Sequence, residues 1–313
     1  MATIVTNRGR IGFVEQGSSD LTPIVFLHGV GSDKSVWRPQ LDHFEPARRA
    51  VAFDYPGYGE SDVIEGATRD DYAAAILAAM DSLAIDRAHV CGLSLGGVVA
   101  IAMHAAAPDR CASLIIADSF AAHPDGRAIY DRSIAASHDM RGLANARVGA
   151  LLVSEDDAIR TDVIETMARI DPAAYRIGAE AVWLADQRAR VAAIAVPTLI
   201  LVGEQDAITP PALSAWSNGA KLTASSAARH RYELTPIVVT WLAARSAVGR
   251  SRPPHAASPA SARVTRIPRD TVDARRFAFM MVRSCPVSVL ARLYSPHGAS
   301  GKRSVALVAK AAD

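Results

Sequence analysis

The run Gly92-Leu93-Ser94-Leu95-Gly96 has the spacing that makes a serine into a nucleophile. Small residues two before and two after the serine are needed because the chain reverses so sharply that neighbouring segments touch. The hydroxyl is then presented at the start of the next helix, whose positive dipole end favours developing negative charge. The surrounding sequence supplies that context: residues 88–93 (AHVCGL) read as a buried strand and residues 95–107 as a small-residue helix. A second group, His28-Gly29-Val30-Gly31, follows another apolar strand, residues 23–27 (PIVFL). Its glycines let the chain bend so that the Val30 amide faces the Ser94 hydroxyl. With the Leu95 amide it makes a two-donor oxyanion hole, where losing one donor costs roughly 2.7–4 kcal/mol of barrier. His28 itself reads as structural, and Asp54-Tyr55-Pro56-Gly57-Tyr58-Gly59-Glu60-Ser61 as a glycine-rich, shape-determining turn.

These groups need a rigid frame, and the first 120 residues describe one. Apolar runs at 23–27, 50–53, 88–93 and 113–117 (SLIIA) alternate with helical patterns such as residues 69–83, where Tyr72, Ile76, Leu77, Met80 and Leu83 share one face. Strands that are apolar throughout and separated by helices imply a mostly parallel sheet covered on both faces. From residue 120 to 190 the strand pattern gives way to helical segments at 144–153, 162–170 and 173–189, and strand returns at 197–202 (PTLILV). That order implies an α/β core from 1–119 and 191–247 with a helical cap, 120–190, inserted between them. Residues 235–242 (TPIVVTWL) read as a final helix.

The charge balance separates one further region. Residues 250–313 hold 12 Lys or Arg against Asp270, Asp273 and Asp313, a net of +9, so an overall +2 leaves −7 for the first 249 residues. The stretch 251–261 (SRPPHAASPAS) is rich in Pro, Ser and Ala, and the basic residues beyond it lack sustained periodicity. Residues 248–313 are therefore expected to form a basic, disordered tail, and without aromatic interleaving no nucleic-acid role is expected for it. Three cysteines, Cys91, Cys111 and Cys285, stand far apart without a CxxC pair, which argues against a disulfide framework or a zinc site. The first ten residues carry no apolar core, and no uncharged run approaches the ~18–20 residues that span a bilayer. A cytoplasmic protein with no membrane partner, no metal and no cofactor is expected; the sequence does not give an oligomeric state.

With these residues in hand, positions 1 to about 247 resemble the α/β-hydrolase superfamily and, within it, the 3-oxoadipate enol-lactonase group. The resemblance rests on HGVGSDKSVWRPQ, DYPGYGESD, GLSLGG, the cap segment MRGLANARV, and VPTLILVGEQDAITPP. It implies a cofactor-free serine hydrolase that opens a carboxylic ester or lactone through an acyl-enzyme. By the family pattern the triad acid is Asp206, with Asp118, after strand SLIIA, as its rival. The triad histidine follows about two dozen residues later, which falls on His230, 24 residues beyond Asp206. There the sequence departs from the family, because Arg229 stands where a glycine is usual and Ala224-Ser225-Ser226 replaces an apolar strand end. A pseudoenzyme or ligand-binding homologue with an impaired histidine is therefore the alternative reading. Trp37, Arg141 and Arg147 are the candidate substrate contacts, the two arginines able to pair with a carboxylate of a 3-oxoadipate-type ligand.

Overall fold

In the computed structural model the described residues are 2–152, 156–203 and 206–214, together with the backbone of three further strands at 237–242, 289–294 and 304–311. The chain opens with an antiparallel hairpin, β1 (Ala2–Thr6) and β2 (Gly9–Gln16). Strands β3 (Ile24–Leu27), β4 (Ala50–Phe53), β5 (Ala88–Leu93), β6 (Cys111–Ala117) and β7 (Thr198–Gly203) then form the parallel centre. Helix α1 (Arg38–Phe44) precedes β4, α2 (Arg69–Ser82) precedes β5, and α3 (Leu95–Ala106) joins β5 to β6. The spatial order begins β1-β2-β4-β3-β5-β6-β7. The mostly parallel sheet expected from the alternation of apolar runs and helical patterns is thus present.

The central strands are apolar on both sides because both sides are covered. Val25, Leu27, Val51, Phe53, Val90, Leu114 and Ile116 belong to the larger core, shared with α2 and α3. Their alternate neighbours Ile24, Phe26, Ala50, Ala52, Cys91, Ile115, Leu199 and Leu201 pack with Trp37, Leu41 and Phe44 on the opposite face. Helix α2 is started by a reciprocal cap in which Thr68 and Asp71 each accept from the other's backbone amide.

Five helices stand between β6 and β7: α4 (Gly126–Ala136), α5 (Met140–Leu151), α6 (Asp157–Ala168), α7 (Pro172–Trp183) and α8 (Arg188–Ala192). Small residues set how closely they approach the core. A Cβ on Gly178 of α7 would lie 2.1 Å from the Tyr58 hydroxyl and 3.2 Å from Val30 Cγ2. A Cβ on Gly57, whose φ is +86°, would lie 2.9 Å from Ala174, and one on Gly31 would lie 3.1 Å from Met167 Sδ. Helices α6 and α7 therefore rest directly on the loops that follow β3 and β4.

The last part of the sheet departs from expectation. Residues 235–242 read as a helix, yet Ile237–Leu242 is a strand, β8, antiparallel to β7. Four consecutive β-branched residues, Ile237 to Thr240, favour an extended chain, and pairing along β7 satisfies its backbone groups. Two stretches of the basic segment are also strands, β9 (Val289–Tyr294) and β10 (Ser304–Ala311), with β10 paired antiparallel to both β8 and β9. Disorder is the expectation there; VLARLY and SVALVAKA lack the strict alternation that marks a strand, and backbone pairing decides their state.

The tight seam at Gly178 generates a stability prediction. Gly178→Val places three carbons against Tyr58 and Val30, an overpacking that costs about 1–3 kcal/mol. Valine returns little helix propensity in exchange. Thermal unfolding should show a melting temperature lower by about 2–4 °C per kcal/mol; an unchanged value would mean that α7 does not bear on the core there.

Candidate active site

The predicted nucleophile sits where β5 ends and α3 begins, with φ +54° and ψ −112°. That backbone region costs a non-glycine residue of order 1–3 kcal/mol and persists only where the surroundings enforce it. The glycines on either side show what enforces it. A Cβ on Gly92 would lie 2.1 Å from the Gly96 carbonyl oxygen, and one on Gly96 would lie 2.2 Å from that of Leu27. The turn is held further by the Ser94 amide donating to Ala117 O (2.8 Å) and the Ser119 hydroxyl donating to Ser94 O (2.8 Å). Ser94 is half-buried, and its side chain makes no capping bond to α3, so the hydroxyl stays available.

The loop after β3 lies against this turn, since a Cβ on Gly29 would be 3.7 Å from Ser94 Cβ. Gly29 C=O and Val30 N–H belong to one peptide unit and point in opposite directions. The Gly29 carbonyl accepts from the Ser32 amide (3.2 Å) and from His28 Nδ1 (2.8 Å). The flanking carbonyls are held by tyrosines: the Tyr55 hydroxyl donates to His28 O and the Tyr58 hydroxyl to Val30 O, both at 3.1 Å. The Val30 and Leu95 amides, the expected oxyanion donors, have no hydrogen-bond acceptor among the described residues.

Two carboxylates stand at the same edge of the sheet. The Asp206 side chain closes the turn after β7: one oxygen accepts from the Ile208 and Thr209 amides (both 2.8 Å), the other from the Thr209 hydroxyl (2.5 Å). Three donors fix the orientation of that carboxylate. Asp118 follows β6 at φ +43° and accepts from the Gly203 amide (3.0 Å). Burial, reinforced by the nearby Asp206 charge and opposed by the Gly203 amide, pushes the Asp118 carboxyl up to about 6. Asp206 is thus the more firmly oriented of the two, with three donors against one. His230 lies outside the described residues.

The other expected contacts are more dispersed. Trp37 is buried in the second core, its ring centroid 4.8 Å from that of Phe26. Arg141 makes a two-pronged ion pair with Glu165 on the exposed surface of α5 and α6, both bonds 2.7 Å. Arg147 is half-buried and donates to the neutral Tyr175 hydroxyl (2.8 Å), with no carboxylate partner among the described residues. A buried group that was not anticipated lies behind the loop after β3: Lys34 Nζ contacts Asp54 Oδ2 (2.5 Å) and Glu60 Oε2, with Asp54 fully buried. A lysine inside DKSVW carries no local sign of burial, because its partners lie 20 and 26 residues away. Among the described residues no group of three or more His, Cys, Asp or Glu is placed to hold a metal ion.

Asp118 has a measurable pH consequence. Its folded carboxyl keeps a proton up to about pH 6, whereas the unfolded one releases it near 4. Between those values the folded state binds more protons, so stability falls as pH rises through the window, by an amount of order 2–3 kcal/mol. Asp118→Asn keeps the acceptor for Gly203 and removes the charge. Its melting temperature should exceed that of wild type at about pH 7.5 and match it near pH 4. Equal differences at both pH values would show that Asp118 is not the group responsible.

A family model described as alpha/beta hydrolase fold matches residues 22–235. The chain is 31% identical over 217 residues to 3-oxoadipate enol-lactonase 1 of Acinetobacter baylyi, covering 66% of this chain and 80% of that protein. It is 27% identical over 226 residues to a pimeloyl-[acyl-carrier protein] methyl ester esterase of Neisseria meningitidis serogroup C, covering 66% and 86%. The crystal structure of the enol-lactonase from Burkholderia xenovorans LB400 superposes with a TM-score of 0.65 at 24% identity, covering 69% of this chain and 86% of that one. With the strained serine, the glycine crossings and the parallel sheet already in place, this match over most of its length makes the chain a member of the α/β-hydrolase family.

Proposed function

We propose that the protein is a cofactor-free serine hydrolase acting on a small-molecule carboxylic ester or lactone. The observation that carries this reading is Ser94 itself: a serine with φ +54° at a strand-to-helix turn, with the loop after β3 packed against it at Gly29. Ser94 Oγ attacks the carbonyl carbon while His230 takes its proton. The Val30 and Leu95 amides receive the negative charge that develops on the carbonyl oxygen. His230 returns the proton to the leaving oxygen, and a water then cleaves the acyl-enzyme by the same steps. Asp206 orients His230 and stabilises its cation. Its three donors fix its orientation, whereas burial favours the protonated form of Asp118.

Relatives named for an enol-lactone and for a methyl ester support a carboxylic ester or lactone as the substrate. A substrate bearing its own carboxylate, as an enol-lactone of the 3-oxoadipate type does, would meet Arg147 rather than Arg141. The Arg141 guanidinium is engaged by Glu165, while among the described residues Arg147 meets the Tyr175 hydroxyl and no carboxylate. We place the protein in the cytoplasm; no described helix is long and apolar enough to cross a membrane.

A panel of p-nitrophenyl esters and lactones tests the reading. Wild type should turn over at least one class, and Ser94→Ala should abolish it while leaving the fold intact. Asp206→Asn should lower kcat by about 10⁴-fold, the loss that follows when a triad acid is neutralised. If Asp118→Asn causes that loss and Asp206→Asn does not, the acid is Asp118. Retained turnover in Ser94→Ala removes the nucleophile assignment, and an inert wild type favours a ligand-binding homologue.

A further inference from the structure

We propose that Lys34 is a positioning residue for this reaction: it holds the Asp54 carboxylate behind His28, and His28 aims the Val30 amide at the oxyanion position. The proposal rests on the hydrolase reading of Ser94. The chain of contacts is continuous. The Lys34 backbone amide donates to Asp54 Oδ1 (2.8 Å) and its Nζ to Asp54 Oδ2 (2.5 Å). His28 Nε2 lies 3.9 Å from Asp54 Oδ1, too far for a hydrogen bond, and is buried without a partner. The other ring nitrogen, Nδ1, lies 2.8 Å from Gly29 O. A carbonyl only accepts, so Nδ1 carries the proton and a neutral ring leaves Nε2 bare. The carbonyl it binds shares a peptide unit with the Val30 N–H, so the His28 ring sets the direction of that donor.

Lys34 is what allows this arrangement. The charged groups around His28 are Asp54, Asp33 and Lys34, and the tyrosines 55 and 58 lie against its ring (centroids at 4.5 and 5.1 Å). Glu60 reaches the cluster only through Lys34 Nζ. Strand β2 contributes Gly12, where a Cβ would lie 2.8 Å from Asp54 Oδ2. With the ammonium in place, the Asp54 anion is compensated and burial keeps His28 neutral. Without it, Asp54 is a buried anion whose nearest available cation is a protonated His28. The ring would then close from 3.9 Å to hydrogen-bonding distance, a movement of about 1 Å, and draw the Gly29–Val30 peptide with it. Displacements of that size in a catalytic donor cost up to about 10²-fold in rate.

The test compares wild type with Lys34→Met by steady-state kinetics on an accepted p-nitrophenyl ester and by ¹⁵N spectra of histidine-labelled protein, with His28→Asn used to assign the signal. Wild type should show a neutral, Nδ1-protonated His28 that does not titrate between about pH 5.5 and 8.5. Lys34→Met should show His28 titrating in that range, with kcat lowered at least about ten-fold and KM within two-fold. Should Lys34→Met fail to fold, Lys34→Gln keeps a donor for Asp54 without the charge and should show the same titration. An unchanged His28 signal overturns the proposal whatever the kinetics, because a rate loss without it means only support of the fold. An unchanged kcat with a titrating His28 overturns it as well. A wild type inert toward every ester overturns the hydrolase reading instead, and the His28 signal still decides whether Lys34 sets the state of that ring.

Discussion

Three backbone segments meet at the end of β5 with no side chain between them. Gly92 lies against the Gly96 carbonyl, and Gly96 against that of Leu27, so closely that a Cβ at either position would fall about 2 Å from an oxygen. This crossing dictates the rest of the site. The chain cannot relax into an ordinary helix start, so Ser94 is left at φ +54° with its side chain clear of the sheet. The strain is sustained because both flanks are held by packing: β5 lies between β3 and β6, and nearly every residue of α3 is in the core. Contact with Leu27 also fixes where β3 ends, and with it the loop that carries Val30 to the serine.

Around that crossing the protein places fixed dipoles in preference to mobile charges. The carbonyls of His28, Gly29 and Val30 are each tied by a hydrogen bond, two of them from buried tyrosines. The Val30 amide in the same loop has no hydrogen-bond acceptor among the described residues. Helix α7 covers the same loop through Gly178, which sits over Tyr58 and Val30, so α7 and the loop after β3 share one packing surface. The turn after β7 is built on the same economy: the Asp206 carboxylate receives three donors from residues 208 and 209.

Much of this was legible in the chain because it is local. GLSLG and HGVG encode backbone geometry within five residues, and the apolar strands at 23–27, 50–53, 88–93 and 113–117 differ from β3–β6 only at their ends. What escaped depends on distant partners. Residues 235–242 have an apolar pattern that suits a helix or a strand, and pairing with β7 decides for β8. The hairpin β1–β2 lacks a continuous apolar run, since β1 is mostly exposed. Lys34 looks like a surface residue until Asp54 and Glu60 are brought to it, and Arg141 and Arg147 look equivalent until Glu165 claims one of them. Trp37 stands out in sequence as a candidate contact, but the second core absorbs it.

The central claim is that the strained Ser94 is an activated nucleophile, and it can be read directly. Full-length protein is treated with a fluorophosphonate probe, and the adduct is located by intact mass and peptide mapping. The account predicts rapid, stoichiometric attachment of one label on Ser94, with none on Ser94→Ala. Absence of labelling on a folded protein, or a label carried by another residue, would contradict it.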